Sequence, residues 1–94
     1  MMQFSYPLPD DVPNCSAGHR PQLVETRGAP LGHPIGEPCP TSWHIECGRC
    51  RIATVPTYSR AIAESRWRWH EPLRLIPLSD LGRERAALAT TNAA

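Results

Sequence analysis

Four residues have the types and spacing to do chemistry together. Cys47-Gly48-Arg49-Cys50 is a C-x₂-C pair, which sets two thiolates on one tight turn. Cys15 and His19, with three residues between them in a distant segment, supply a second pair. Three thiolates and one imidazole complete the tetrahedron of a closed structural zinc site, so the expected ligands are Cys15, His19, Cys47 and Cys50 and the expected cofactor is Zn²⁺. Cys39 and His44 compete for the role. Cys39 lies between prolines and reads as a spare thiol. His44 alternates with Cys47 along a strand, so it points away from the ion and reads as a surface or lightly packed histidine.

A closed site leaves no coordination position for water or substrate, which argues against Lewis-acid catalysis. Other catalytic arrangements are missing. Gly28-Ala-Pro-Leu, Gly32-His-Pro-Ile and Gly36-Glu-Pro-Cys carry proline where a phosphate loop needs backbone donors. Asp10 and Asp11 are neighbours in a proline-rich stretch and read as solvated. The C-x₂-C pair lacks the strand-turn-helix setting of a redox dithiol. The chain therefore reads as a binding protein and not an enzyme.

The elements that must position these residues come next. The chain has 94 residues, one phenylalanine, six glycines and eleven prolines, so a single domain with a thin core is expected, and an ion supplies what the core lacks. Residues 1–14 read as an extended lead-in, with a short edge strand where Phe4, Tyr6 and Leu8 alternate. Gln22–Thr26 is the first clear strand. Residues 28–40, with glycine every four positions and proline two places later, form an irregular Gly-x-Pro loop that reads either as a solvated connector or as a partner-binding segment. Thr41–Cys47 alternates, with Thr41, Trp43, Ile45 and Cys47 on one face. Arg51–Val55 returns from the knuckle, making a hairpin with the ion at its tip. Tyr58–His70 reads as the main helix, capped by Thr57 or Ser59, with Tyr58, Ala61, Ile62, Ser65 and Trp69 as its core-facing stripe. Pro72 stops it. Leu73–Ile76 is an edge strand ahead of Pro77. Ser79 caps a second helix through Ala89, and residues 90–94 fray. The fold class is thus α+β: a small zinc ribbon built on a β-hairpin or three-stranded antiparallel sheet, with one main helix.

On this reading Trp43 and Trp69 pack together over the metal. Trp67, off the stripe between Arg66 and Arg68, is either a second packing contact or an exposed anchor. As an anchor it joins Arg60, Arg66 and Arg68 in a partner-binding face, since Trp and Arg dominate hot spots. Net charge is +1, which counts against nucleic acid as the main partner and leaves a protein partner as first choice. All ten basic residues are arginine, which reads either as genomic base composition or as selection for bidentate contacts to phosphate or carboxylate. No apolar run is long enough to span a membrane, and the start has neither the basic residues nor the apolar run of a secretory signal, so a reducing cytoplasm is expected.

Trp43-His-Ile-Glu-Cys47-Gly-Arg-Cys50, followed by Thr54, Tyr58-Ser59, Ala61-Ile62-Ala63 and Trp67-Arg68, resembles the second half of small phage-borne zinc ribbons, the restriction alleviation (Lar-like) family. Those proteins have a hairpin ending in C-x₂-C, then a helix with alanine shortly before tryptophan. Their first pair is usually C-x₂-C, where Cys15-x₃-His19 must stand in here. Arg68 replaces their usual asparagine, and the Gly-x-Pro loop and residues 71–94 have no counterpart. The resemblance implies a mobile-element protein in a bacterial cytoplasm that acts against host defence of restriction or CRISPR type, by binding a defence nuclease or nucleoprotein complex. The alternative is a nucleic-acid-binding regulator.

Overall fold

A computed structural model describes residues 2–15, 17–28, 41–69 and 75–93. The Gly-x-Pro loop beyond Gly28, with Cys39, lies outside them, as do His70 and Pro72. Five strands form one sheet in sequence order: β1 (Met2–Tyr6), β2 (Gln22–Arg27), β3 (Ser42–Cys47), β4 (Ile52–Thr54) and β5 (Leu75–Pro77). All neighbours are antiparallel. α1 (Arg60–Arg68) follows β4, and α2 (Leu81–Ala93) follows a 3₁₀ turn at Leu78–Asp80. The architecture is α+β, but the sheet is larger than the expected hairpin or three strands. The lead-in and the Leu75–Pro77 segment both join it, one at each edge.

β3 is the central strand, and its alternation sorts the molecule. Ile45 lies opposite Leu23 of β2, and Cys47 opposite Ile52 of β4. These residues face the core cluster of Leu8, Val12, Cys15, Leu23, Ile45, Cys47 and Trp67. The other face, with Val24, Ser42, His44 and Ala53, is buried as well. His44 is thus not a surface histidine. It points away from Cys47 as expected, but it is fully enclosed, with Nε2 2.8 Å from Glu46 Oε1. Its Nδ1 has no hydrogen-bond partner among the described residues.

The lead-in is more than a spacer. Leu8 and Val12 enter the core. Arg20 fixes their course by donating to the carbonyl oxygens of Leu8, Pro9 and Val12.

α1 starts where Ser59 Oγ accepts from the Ile62 N–H at 3.3 Å. Its buried pair is Ala63 and Trp67, four residues apart on one face. The small Ala63 allows close approach to the sheet, and the Trp67 indole N–H donates to Pro13 O at 2.9 Å. Trp67 has no solvent exposure, so the exposed-anchor reading is corrected. Trp69, two positions on, is rotated by about 200° and is 77 % exposed, and Ile62 is 47 % exposed. The stripe expected to face the core therefore faces outward, and Trp69 does not pack on Trp43. Trp43 sits instead beside Tyr6, with ring centroids 6.5 Å apart.

α2 runs through Ala93, past the start of the expected frayed tail. Ser79 lies inside the 3₁₀ turn that precedes α2.

Candidate metal centre

Two local structures present the four ligands. In the first, Gly18 adopts φ 86°, a left-handed conformation that suits glycine. The turn is closed by Gly18 N–H to Cys15 O at 2.8 Å and Cys15 N–H to His19 O at 2.9 Å. The His19 N–H also donates to Cys15 Sγ at 3.3 Å. In the second, Cys47 ends β3 and the chain turns through Gly48, Arg49 and Cys50. It leaves by Arg51 at φ 56°, the one non-glycine left-handed residue among those described. Leu78 N–H donates to Arg51 O at 3.1 Å and pins the knuckle to the base of α2.

The two turns meet. The ligand atoms of Cys15, His19, Cys47 and Cys50 all lie within 4.8 Å of one another. Cys15 Sγ is 3.7 Å from Cys50 Sγ. His19 Nδ1 is 3.4 Å from Cys50 Sγ and 3.8 Å from Cys47 Sγ. Bonds of about 2.3 Å to sulfur and about 2.0–2.1 Å to nitrogen give tetrahedral edges of about 3.8 Å between sulfurs and about 3.6 Å from sulfur to nitrogen. The arrangement can therefore hold a metal ion, with Nδ1 as the histidine ligand. Cys15 and Cys47 are buried, while His19 and Cys50 are half-buried. Every residue expected at the site is brought together there, and His44 is held away.

The thiols interact strongly. Burial pushes the Cys15 thiol up, but hydrogen bonds to its sulfur from His19 and Ala17 and from the neighbouring thiols outweigh that and lower its pKa. Cys50 is pushed up to about 11, first by its hydrogen bond with Cys15 and then by burial, because a second thiolate beside the first is unfavourable. A divalent cation relieves that crowding.

Around the ligands, an open cavity of about 500 Å³ is lined by His19, Gln22, Glu46, Gly48 and Arg49 among others. Arg49 and Arg51 are exposed and have no carboxylate partner among the described residues.

The expected partner face divides. Arg60 bonds Glu64 at 3.4 Å and lies over the Trp43 ring at 6.0 Å. Arg66 donates to Val55 O at 2.9 Å. Arg68 pairs with Asp11 at 2.8 Å. Asp11, expected to be free in solvent, has its pKa lowered by that hydrogen bond above all. Arg66 and Arg68 thus tie α1 to its neighbours, and Trp67 is core. Sequence reasoning missed the exposed pair Ile62 and Trp69, the Arg20 clasp, and the buried Arg85, whose guanidinium feels the Glu46 charge. One signal was available for the first. Tryptophans two apart on a helix cannot share a face, and the one four residues after an alanine is the better core candidate.

No protein-family model, no curated protein and no solved structure matches this chain. Among the described residues, no helix is long and apolar enough to cross a membrane.

Proposed function

We propose that this chain is a zinc-stabilised binding protein of a mobile element. It works in a bacterial cytoplasm by occupying a surface on a host defence protein, a restriction or CRISPR-type nuclease or its complex. Zinc is the ion that three thiolates and one imidazole in a closed tetrahedron favour, and its role is to hold the fold. The observation that carries the binding reading is the outer face of α1 together with Trp69, the residue that caps its C-terminus. Ile62 and Trp69 stand exposed at i and i+7, with Ser65 and Arg66 between them. A large aromatic left in water by a chain with so few aromatics is costly to solubility and useful in an interface. The contact set becomes Ile62, Arg66 and Trp69, with Arg60 beside them.

The test is phage plating on a restricting and a non-restricting host, each expressing the chain. Plating on the restricting host should rise toward that on the non-restricting one. The rise should vanish with Trp69→Ala, a variant that keeps its fold and metal. Equal plating with and without the chain, across restriction and CRISPR hosts, refutes the reading. A second reading, nucleic-acid binding through the knuckle, is favoured by Arg49 and Arg51, which are exposed and have no carboxylate partner among the described residues. It predicts affinity for DNA or RNA that falls steeply with salt.

A further inference from the structure

The two edges of the sheet differ in how they are protected. β5 has three residues and ends on Pro77, which has no N–H to offer a further strand. β1 has five residues, Met-Gln-Phe-Ser-Tyr, with no charge, no proline and a regular one-to-one register against β2 from Met2↔Arg27 to Tyr6↔Leu23. Among the described residues it pairs on one side only, and residues 2–5 are exposed, which leaves alternate N–H and C=O groups along its other side without a described partner. Natural sheets blunt such an edge with lysine, proline or a bulge, and β1 carries none of these.

We propose that β1 is a self-association edge. Two copies of this chain pair antiparallel through it about a two-fold axis at Phe4, making one ten-stranded sheet.

The strand is complementary to itself on both faces. An antiparallel pair centred on Phe4 sets Phe4 against Phe4 of the second copy, Met2 against its Tyr6, and Gln3 against its Ser5. The first two rows are apolar and continue a face on which Met2 is 61 % and Phe4 is 37 % exposed. The third row faces the other side of the sheet and joins an amide to a hydroxyl, which can hydrogen-bond across it. No row places like charges opposite each other. The nearest cation, Arg27, is already answered. Its Nε donates to Glu25 Oε1 at 2.7 Å, and its guanidinium lies over the Phe4 ring at 4.8 Å. A second copy fits better than an unrelated strand because both halves of every row come from these five residues. The joint uses up the free β1 edge of both copies, and with Pro77 blunting the outer edges assembly stops at two.

The experiment is sedimentation velocity on the full chain with its metal, across about 1 µM to about 1 mM, the range in which weak to moderate pairs dissociate. The sedimenting mass should rise from one chain to two and stop there. Phe4→Lys puts two ammonium groups on the axis and should shift the transition up at least tenfold in concentration. Trp69→Ala should leave it in place, which separates this edge from the α1 face. Phe4 is exposed, so the lysine variant should keep its circular dichroism and its metal. As a check independent of any substitution, amide exchange within Gln3–Tyr6 of the wild-type chain should slow as concentration rises. A single-chain mass at every concentration overturns the proposal. So does a dimer that survives Phe4→Lys, a dimer lost in Trp69→Ala, or growth beyond two copies.

Discussion

Removing the metal should unfold this protein, and the size of the effect follows from the core. Seven residues form the buried cluster, and two of them, Cys15 and Cys47, are candidate ligands. Without the ion, three thiols and an imidazole crowd within 4.8 Å and the cluster loses what joins its two halves. Structural zinc contributes apparent free energies of about 10–16 kcal/mol in small domains at neutral pH. Total stability of a small domain is about 5–15 kcal/mol. The loss is therefore as large as everything available, and the metal-free chain should be unfolded and not merely loosened. The assay is tryptophan emission in a Trp69→Phe background, so that the exposed indole does not mask the buried Trp67. A tight chelator should shift emission to the red and collapse the circular dichroism. Both should return on adding one equivalent of zinc. A chelated, metal-free protein that keeps blue emission and a cooperative thermal transition would refute the reasoning.

Other outcomes follow from the same geometry. Trp67→Ala removes a fully buried indole and should cost about 3–5 kcal/mol in chemical denaturation, while Trp69→Ala should change stability by no more than about 0.5 kcal/mol. Binding an ion displaces the protons that thiols of an unfolded, metal-free chain hold below their ordinary pKa of about 8.5. Affinity should therefore fall as pH falls, by at least about tenfold per unit between pH 8 and pH 6, in a competition titration against a chromophoric chelator. Cys39→Ser should leave one ion per chain by elemental analysis, whereas Cys50→Ser should lower the metal content and the melting temperature together.

The site was more legible in the sequence than the fold. Ligand chemistry is local: a C-x₂-C turn and a C-x₃-H turn declare their donors whatever surrounds them, and all four atoms converge. Trp43, Ile45 and Cys47 were also placed correctly on one face of β3. The partner strands were harder. Edge strands were expected near residues 4–8 and 73–76, but that Met2–Tyr6 and Leu75–Pro77 join one five-stranded sheet is fixed by long-range register, which periodicity does not report. The helix face was read in reverse because Tyr58, Ala61, Ile62, Ser65 and Trp69 make the longer apolar stripe. Burial was decided elsewhere, by the fit of Ala63 and Trp67 to the sheet and by a carbonyl at Pro13 waiting for an indole N–H. His44 was misjudged because alternation says which way a side chain points, not whether a second layer covers that side.

The division of the ligands between two segments has a practical consequence. Cys15 and His19 precede residue 28, and Cys47 and Cys50 follow residue 41. The seam between the pieces is the β2–β3 ladder. A chain severed anywhere between those positions keeps every described strand and all four candidate donors, only on two peptides. Synthesised separately, residues 1–28 and 41–94 should find each other when zinc is supplied and part when it is withdrawn, a split pair whose reunion reports the metal.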